Sequence, residues 1–453
     1  MADLGAPRNH SKDYSGGQRP TYVRWLILGL LMSYAGMVHF NRISISIAGT
    51  EHIIPDYKIS PTEMGAVYTT YLVVYTLFMM PGGWFIDRFG PKKALLLLGF
   101  GSAIFVPATA LAGYVGVAWM LGLLFVVRGA LGLVSAPIHP AAARAASFWL
   151  PYSGRGKANG LITGAALLGI AATPYGFGLL SDRITWPVAF LVAGVLTLLL
   201  TIVWAYLATD HPWQHRWANA AEAALITAED PVPQTEQPVA NDAQEGTSPN
   251  SPVGPFTWVQ RNLSMLTLTL SYACYSYFQY LFFYWMGYYF DTELKLGTST
   301  GRAYTTITLL AMAGGMFTGG VLLDSLQSWK RCWFSRAITP MFGMVASGFF
   351  VLLGTSTSNP VAVVTWFALS MGALGMCEAP FWVTAVELGR KKGGASGAFL
   401  NTIGNLGGIL APLVTPLFSS YFGWKAGLLL AAGIVAVGAV FWVWVNPPVE
   451  SSA

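Results

Sequence analysis

Several short stretches of this sequence return, in the same order, about 240 residues further along the chain. A constant offset over such a distance indicates that the chain is built from two copies of one unit. Both copies lie among long apolar segments. The duplication therefore predicts a membrane protein with two homologous halves, an arrangement in which transporters hold their substrate between the halves. The repeated features are Tyr68-Thr69-Thr70 with Tyr304-Thr305-Thr306, Gly83 with Gly320, Gly129 and Gly132 with Gly372 and Gly375, Ala136-Pro137 with Ala379-Pro380, Pro174 with Pro412, and Trp186 with Trp424.

The composition places most of the chain in a membrane, because 54% of its residues are hydrophobic and only 10% are charged. A soluble domain carries about 25% charged residues, and a helix needs about 20 apolar residues to cross a bilayer. By this length criterion we predict an all-α membrane protein with twelve transmembrane helices, packed as two pseudo-symmetric six-helix bundles. The predicted spans are residues 23–45, 64–86, 93–113, 117–140, 157–180, 187–208, 259–290, 302–324, 334–354, 360–387, 394–418 and 424–446.

The stretch between the sixth and seventh spans differs in character from its surroundings. Residues 209–256 are rich in proline and acidic side chains, which indicates a largely disordered linker that begins with a short surface helix near 214–226. The predicted organisation is a tail at 1–22, a bundle at 23–208, the linker at 209–256, a second bundle at 257–446 and a tail at 447–453.

Positively charged residues are distributed unequally between the two sides of the predicted membrane. Of the 25 Lys and Arg residues, 18 fall on the side that carries the linker, 5 on the other side and 2 inside spans. Because cytoplasmic loops carry the excess of Lys and Arg, we expect both termini and the linker on the cytoplasmic side of a cell (inner) membrane. The net charge of +5 then reflects topology, and we expect no nucleic-acid partner.

The loop after the second span resembles the signature of the major facilitator superfamily. Its residues are Gly83, Asp87, Arg88 and Gly90, followed by two lysines, and Arg128-Gly129-x-x-Gly132 in the fourth span resembles the second motif of that superfamily. The resemblance implies transport by alternating access. It also implies that the loop motif is a conformational latch, in which Asp87 meets the start of a neighbouring helix and Arg88 meets an acid when the inward side is closed.

A longer stretch, from Tyr75 through Pro81 to Gly90, resembles one branch of the superfamily, the anion:cation symporters, and so does Gly404-Asn405. That branch includes proton-coupled galactonate and glucarate transporters. The resemblance implies ion-coupled uptake of a small organic anion, most favourably a sugar acid such as an aldonate, aldarate or hexuronate. We expect a monomer whose partners are the substrate, a coupling proton or sodium ion, and the lipid bilayer.

Two arginines, Arg42 and Arg128, lie inside predicted spans of the first half. A guanidinium at the bilayer centre costs about 3 kcal/mol, so such a residue faces a cavity or a partner. Its planar fork pairs with a carboxylate through two hydrogen bonds, which makes both residues candidates for binding an organic anion. Either residue could instead bond the backbone carbonyls of a neighbouring helix, and the resemblance favours Arg42 as the anion-binding residue.

The acids that would carry a coupling proton in the galactonate-type pattern are absent here. That pattern places an Asp directly before the first-span Arg and a Glu before the Ala-Pro of the fourth span, where this chain has Asn41 and Ser135. Glu378 stands before the Ala-Pro of the second half. It could bind the coupling proton, since burial favours its neutral form, or it could neutralise an arginine. His139, which shares one stripe of the predicted fourth span with Arg128 and Ser135, and His39 are alternative proton carriers, because imidazole exchanges protons near neutral pH. Each could equally be a core histidine bonded to a backbone carbonyl.

Further polar residues inside spans are candidates for contacting the substrate. The resemblance implies that Tyr75 faces the substrate, and Gln279 and Tyr280 lie among the aromatics of the seventh span. Asn401 and Asn405 are four residues apart, hence on one helix face, and amides can hydrogen-bond sugar hydroxyls. The alternatives are packing for the aromatics and helix–helix hydrogen bonds for the amides.

Two other functions compete with uptake. An efflux antiporter would carry a fuller Gly-Pro pattern in the fifth span than residues 169–176 show, and a membrane sensor without transport activity would need an added signalling domain. The three cysteines show no metal-ligand spacing, and no nucleophile–base set appears in the sequence. We therefore expect no enzyme activity, no metal site and no cofactor.

Overall fold

The computed structural model describes residues 19–228, 263–329, 333–389 and 393–445, and its regular secondary structure is entirely helical within these ranges. The helices of the first half are α1 (Val23–Ala48), α2 (Pro61–Phe89), α3 (Pro91–Ala108), α4 (Val117–Ser135), α5 (Ile138–Trp149), α6 (Arg155–Ile184) and α7 (Trp186–Leu207), followed by the short α8 (Ala220–Thr227). Those of the second half are α9 (Leu263–Tyr288), α10 (Thr298–Trp329), α11 (Trp333–Ser356), α12 (Pro360–Gly375), α13 (Glu378–Gly389), α14 (Gly393–Phe422) and α15 (Trp424–Phe441).

Eleven stretches of the described residues are long and apolar enough to cross a membrane. The predicted seventh span, residues 259–290, is not among them, yet it coincides with α9, whose 26 residues extend for about 39 Å. The many tyrosines of α9 lower its mean hydropathy without shortening it. Every predicted span thus contains a helix within the described ranges, and the predicted all-α membrane fold is confirmed.

The predicted fourth and tenth spans are not continuous helices. In the first half, α4 ends at Ser135 and α5 begins at Ile138, and in the second half α12 ends at Gly375 and α13 begins at Glu378. The predicted span 117–140 lies within one stretch able to cross a membrane, Val117–Trp149, but its helix is interrupted at residues 136–137, because Pro137 has no backbone N–H to continue the helical ladder. Both breaks fall beside the repeated Ala-Pro, and discontinuous helices at matching places of two repeats mark binding sites in transporters.

The helices of each half pack mainly against one another, and two main contacts join the halves: α2 packs on α14, and α6 packs on α10. The repeated Tyr-Thr-Thr lies in α2 and α10, and the repeated proline lies in α6 and α14, so the two contacts are related by the pseudo-two-fold axis. The α2–α14 contact is a close backbone approach, because a Cβ on Gly65 would overlap the carbonyl of Pro412.

One end of the bundles, which we call the linker face, carries residues 19–22 and 208–228, and the other end, the opposite face, carries Gly49–Ile53 and Tyr289–Glu293. A short helix is predicted near 214–226, and the structure has one, α8, at Ala220–Thr227. Residues 229–256 of the predicted linker, and 1–18 and 447–453 of the predicted tails, lie outside the described residues.

At the linker face, α8 holds the start of α1 in place through one carboxylate. Glu222 is fully buried and accepts hydrogen bonds from the backbone N–H groups of Val23 and Arg24. Its carboxylate also pairs with the Arg24 guanidinium at 3.1 Å. The first turn of α1 therefore depends on a side chain that is about 200 residues away in the sequence.

Candidate functional site

Arg42 of α1 lies between the two halves, enclosed by tyrosine side chains. Its Cζ is 5.5 Å from the ring centroid of Tyr71, 5.9 Å from that of Tyr75 and 4.8 Å from that of Tyr280. Its Nε donates to the hydroxyl of Tyr284 at 3.3 Å. We call these four tyrosines the aromatic cage; two come from α2 and two from α9. The Nη2 atom of Arg42 is buried and has no hydrogen-bond partner within the described residues.

Arg128 of α4 is fully buried, and its fork is occupied by the backbone of α1. Nη2 donates to the Arg42 carbonyl at 2.8 Å, and Nη1 donates to the Asn41 carbonyl at 3.5 Å. The Tyr71 ring lies 5.0 Å from its Cζ, so both guanidinium groups lie near this ring. Gly132, one turn further along, lets α4 approach the α2 backbone closely. Of the two roles considered for Arg128, the structure thus shows bonding to backbone carbonyls.

The two residues that replace the acids of the galactonate-type pattern supply no negative charge beside Arg42. Asn41 is buried, and its amide donates to the hydroxyl of Thr197 at 2.9 Å on α7. Ser135 is buried at the end of α4 and lies against the hydroxyl of Tyr71. The arginine pair is therefore surrounded by neutral polar groups at these positions.

The two candidate histidines are brought together by the break between α4 and α5. The ring centroids of His39 and His139 are 5.2 Å apart, and His39 Nδ1 is 2.9 Å from the Ala35 carbonyl oxygen. His39 is buried and His139 is half-buried. His139 lies at the start of α5, after the turn at 136–137, and the stripe that it is expected to share with Ser135 stays a prediction.

Glu378 is the first residue of α13, and its carboxylate is held by aromatic donors. Oε1 accepts from the Tyr272 hydroxyl at 3.0 Å and from Trp382 Nε1 at 2.8 Å, while Oε2 is buried and unpartnered within the described residues. No arginine of the described ranges forms an ion pair with it, and both roles considered for Glu378 stay predictions. Tyr272 and Tyr280 are separated by eight residues of α9, or about 12 Å along the helix axis.

The candidate amides are not drawn into the aromatic cage. Gln279 donates weakly to the sulfur of Met312 at 3.8 Å, a contact inside the second half. Asn405 donates to the sulfur of Met79 at 3.5 Å and so links α14 to α2, while Asn401 is half-buried one turn earlier. None of the three is among the described contacts of Arg42, and their role as substrate contacts stays a prediction.

The loop motif does not form an ion-pair latch in this structure. Asp87 and Arg88 are exposed, and Arg88 lies over the neighbouring Trp84 ring at 5.6 Å, with no ion pair among the described residues. Gly90 has a φ of +85°, and a Cβ there would be crowded by the carboxylate of Asp210. Asp210 accepts from the backbone N–H of Lys92 at 2.8 Å and so caps α3. Gly83 has open space around it, and the latch stays a prediction for an inward-closed state.

An ion cluster at the opposite face, which sequence reasoning missed, connects the halves. Arg302 of α10 donates to Glu51 at 2.9 and 2.6 Å and to Asp182 at 2.5 and 2.8 Å. Glu51 lies in a π-helical turn, Gly49–Ile53, that continues α1, and Asp182 lies near the end of α6. We call this cluster the Arg302 bridge. No local pattern announced it, because its partners are 251 and 120 residues away in the sequence.

Comparisons with known proteins agree with this architecture. The family model described as Major Facilitator Superfamily matches residues 28–412. The chain is 26% identical over 428 residues to the probable sulfoacetate transporter of Cupriavidus necator, covering 94% of each protein. It is 26% identical to the probable galactarate/D-glucarate transporter of Bacillus subtilis, covering 93% of this chain and 91% of the relative. It is 23% identical to the D-galactonate transporter of Escherichia coli, covering 94% and 96%.

Solved structures share the fold at low sequence identity. A bacterial homolog to the human lysosomal transporter Spinster, in an inward-facing and unoccupied conformation, superposes with a TM-score of 0.70 at 14% identity, covering 93% of this chain and 96% of that one. The occupied inward-facing form of such a homolog gives a TM-score of 0.69. At this identity the likeness concerns the arrangement of helices alone.

Proposed function

Because the chain belongs to the major facilitator superfamily, we propose that this integral membrane transporter takes up a small organic anion whose carboxylate binds to Arg42. Its family and its transporter relatives make it a transporter and not an enzyme. The substrate contact, the direction of transport and the orientation in the membrane are parts of the proposal.

The proposal rests on one terminal nitrogen of the Arg42 guanidinium that has no hydrogen-bond partner within the described residues. Nε is held by Tyr284 of the other half, whereas Nη2 is buried without a partner within the described residues. A buried charged donor without a hydrogen bond costs about 1–3 kcal/mol or more, and a bound carboxylate would remove that cost through a charge-assisted hydrogen bond. Since α1 and α9 belong to different halves, an anion at Arg42 would touch both, as substrate does in transporters built of repeats.

The same contacts narrow the class of anion. Arg128 directs both terminal nitrogens to the α1 backbone, so Arg42 is the one of the two with a terminal nitrogen, Nη2, that is unpartnered among the described residues. The four side chains of the cage are neutral, so a second acid group would gain no further ion pair from them, which is costly for a buried charge. Sugar acids with one carboxylate, the aldonates and hexuronates, therefore match the site better than the two-carboxylate aldarates.

The orientation follows from the distribution of charge. The linker face carries the excess of Lys and Arg, so we place it, with both termini, in the cytoplasm and place the protein in the cell (inner) membrane. The Arg302 bridge and the close approach of Gly65 to Pro412 join the halves near the opposite face. These contacts support an inward-facing state in which the cage is closed toward the outside.

The test measures the binding of sugar acids to purified protein in lipid nanodiscs by isothermal titration calorimetry. D-Galactonate and D-glucuronate represent one acid group, D-glucarate represents two, and D-glucose is the uncharged control. We expect binding of the single acids, with Arg42→Lys weakening it about 10–100-fold because a point charge cannot replace the two-pronged fork. Arg144→Lys is the matched control, since Arg144 is exposed and lies on the Phe148 ring.

Three outcomes would contradict parts of the proposal. Equal affinity of Arg42→Gln and the unmodified protein would remove Arg42 from the site. Tighter binding of D-glucarate than of the single acids would contradict the assignment to one acid group. Export, in place of import, by proteoliposomes of known orientation would favour the efflux antiporter.

A further inference from the structure

We propose that His39 and His139 form a proton-binding site that takes up one proton when an anion binds at Arg42. The inference rests on the proposed function, because it assigns the coupling ion of that same site. In this proposal imidazole takes the role of the acids that are missing at Asn41 and Ser135. Uptake of the anion would then be linked to a proton that no carboxylate of the first half carries.

The geometry of the pair suits one shared proton. His39 donates through Nδ1 to the Ala35 carbonyl, so its Nε2 is the atom that accepts a proton. The ring of His139 stands 5.2 Å away, tilted by 59°, and no described residue hydrogen-bonds to it. Two imidazolium ions at this distance repel each other, so protonation of one ring disfavours protonation of the other. The pair therefore exchanges one proton and not two.

The charged groups that act on the pair are cations. Arg42 follows His39 by one turn of α1 and acts on both rings, and Arg128 lies on α4 behind Tyr71. Tyr71 and Tyr75 of α2, which lie by Arg42, are neutral, and α7 carries no charged residue. The charged residues of α3 and α6 lie in the end turns of these helices, and α5 carries one charged residue, Arg144, more than a turn beyond His139. Those of α3 are Lys92 and Lys93, and those of α6 are Arg155, Lys157, Asp182 and Arg183.

This arrangement links the proton to the anion. Residues three apart on a helix stand about 6 Å from each other, and at an effective dielectric constant of about 20 two unit charges at that distance change each other's ionisation by about 100-fold. With the cage empty, Arg42 opposes protonation of the pair. A bound carboxylate neutralises Arg42 and removes that opposition, so the proton enters with the anion. By reciprocity, protonation of the pair strengthens anion binding.

Glu378 is the competing site, and distance argues against it. Its carboxylate is bound to Tyr272, which is about 12 Å along α9 from the Tyr280 ring over Arg42. No hydrogen bond of the described residues joins Glu378 to the aromatic cage, whereas His39 lies one turn of α1 from Arg42, so we expect the histidine pair to respond more strongly to the anion. Tyr272 and Trp382 also donate hydrogen bonds to Oε1 of Glu378, and neither residue belongs to the aromatic cage around Arg42.

The experiment measures the number of protons bound with each anion. D-Galactonate is titrated into protein in nanodiscs at pH 5.5 to 8.5, in two buffers of different ionisation enthalpy. We expect the affinity to rise by up to tenfold for each unit that the pH falls, with about one proton taken up per anion. The double variant His39→Gln/His139→Gln should bind galactonate with a flat pH profile and take up no proton, whereas each single variant keeps one imidazole and should keep a pH-dependent affinity. Glu378→Gln and His215→Gln, whose imidazole bonds the Leu207 carbonyl at the linker face, should keep the unmodified profile.

The outcomes separate the two proposals. Absence of galactonate binding at every pH overturns the proposed function, and with it this inference. Binding whose affinity is independent of pH overturns the inference alone, and so does loss of the pH dependence in Glu378→Gln with retention in the double histidine variant. A double variant that elutes as aggregate is replaced by His39→Asn/His139→Asn, for which the same flat profile is expected.

Discussion

Removal of the Arg302 bridge is expected to open the protein at the opposite face. Arg302 and Glu51 are 4% and 8% exposed, whereas Asp182 is 50% exposed. The guanidinium bonds both oxygens of each carboxylate, with nitrogen–oxygen distances of 2.5 to 2.9 Å, and it joins α10 of the second half to α1 and α6 of the first. The bridge therefore exists only while the halves are together at this end.

The burial of each partner sets the size of the effect. In Arg302→Ala the carboxylate of Glu51 stays buried without a cation, which costs about 3 kcal/mol in the closed form. Water reaches Glu51 once the face opens, so the open form does not carry this cost. The ratio of closed to open protein should fall by about 100-fold. In Asp182→Asn the lost partner is half exposed, so the change should be at most about 1 kcal/mol, or about fivefold.

The assay is a distance measurement by electron spin resonance across the opposite face. Spin labels are placed at Asp56→Cys and Thr292→Cys, exposed positions of the two halves, after the three native cysteines are replaced. Arg302→Ala should add a population with a longer distance, and Asp182→Asn should add less of it. Arg336→Ala, which breaks a 3.0 Å ion pair within the second half, is the matched control and should leave the distribution unchanged. Identical distributions for Arg302→Ala and the unmodified protein would refute the reasoning.

Two further substitutions test contacts that hold the helices. Gly65→Ala should populate the same longer distance, because the added methyl would overlap the Pro412 carbonyl and part α2 from α14, whereas Gly29→Ala, at a position with open space, should not. Glu222→Gln should lower the Tm of the purified protein, because it removes the charge-assisted hydrogen bonds of the buried carboxylate to Arg24 and to the first turn of α1. The expected loss of stability is about 2 kcal/mol. An unchanged Tm would contradict this role of Glu222.

The helices were predictable from sequence because a bilayer imposes a simple rule. Each span must hold enough apolar residues to cross about 30 Å, and each observed helix except α5 begins or ends within a few residues of its predicted limits. The α4–α5 break was less accessible, since Gly and Pro are common in membrane helices and most do not interrupt them. Pro174 lies inside α6 without ending it, whereas a helix ends just before Pro137. A similar break lies beside the second Ala-Pro, and the sequence alone does not distinguish the two kinds of proline.

The candidate site was predictable in part, and the reason is the range of the interactions. The cost of burying a guanidinium identified Arg42 and Arg128 from sequence alone. Nothing local could separate their roles, because Arg128 is assigned by its bonds to carbonyls 86 and 87 residues away. The Arg302 bridge could not be predicted for the same reason. From sequence, an arginine at the start of a span is interpreted as a loop cation, and only the fold places Glu51 and Asp182 beside it.

The two halves keep one backbone and divide the chemistry between them. Ser135 and His139 occupy the places of Glu378 and Trp382 beside the repeated Ala-Pro, and each pair is four residues apart. In the second half the pair closes on itself, since Trp382 donates to Glu378 at 2.8 Å. In the first half Ser135 lies against Tyr71 instead, and the His139 ring lies next to His39, which is one helical turn from Arg42 on α1. If the proposed sites are correct, a proton held by the histidine pair acts on the anion at Arg42 from one turn away, whereas Glu378 is bound to Tyr272, two turns of α9 from Tyr280.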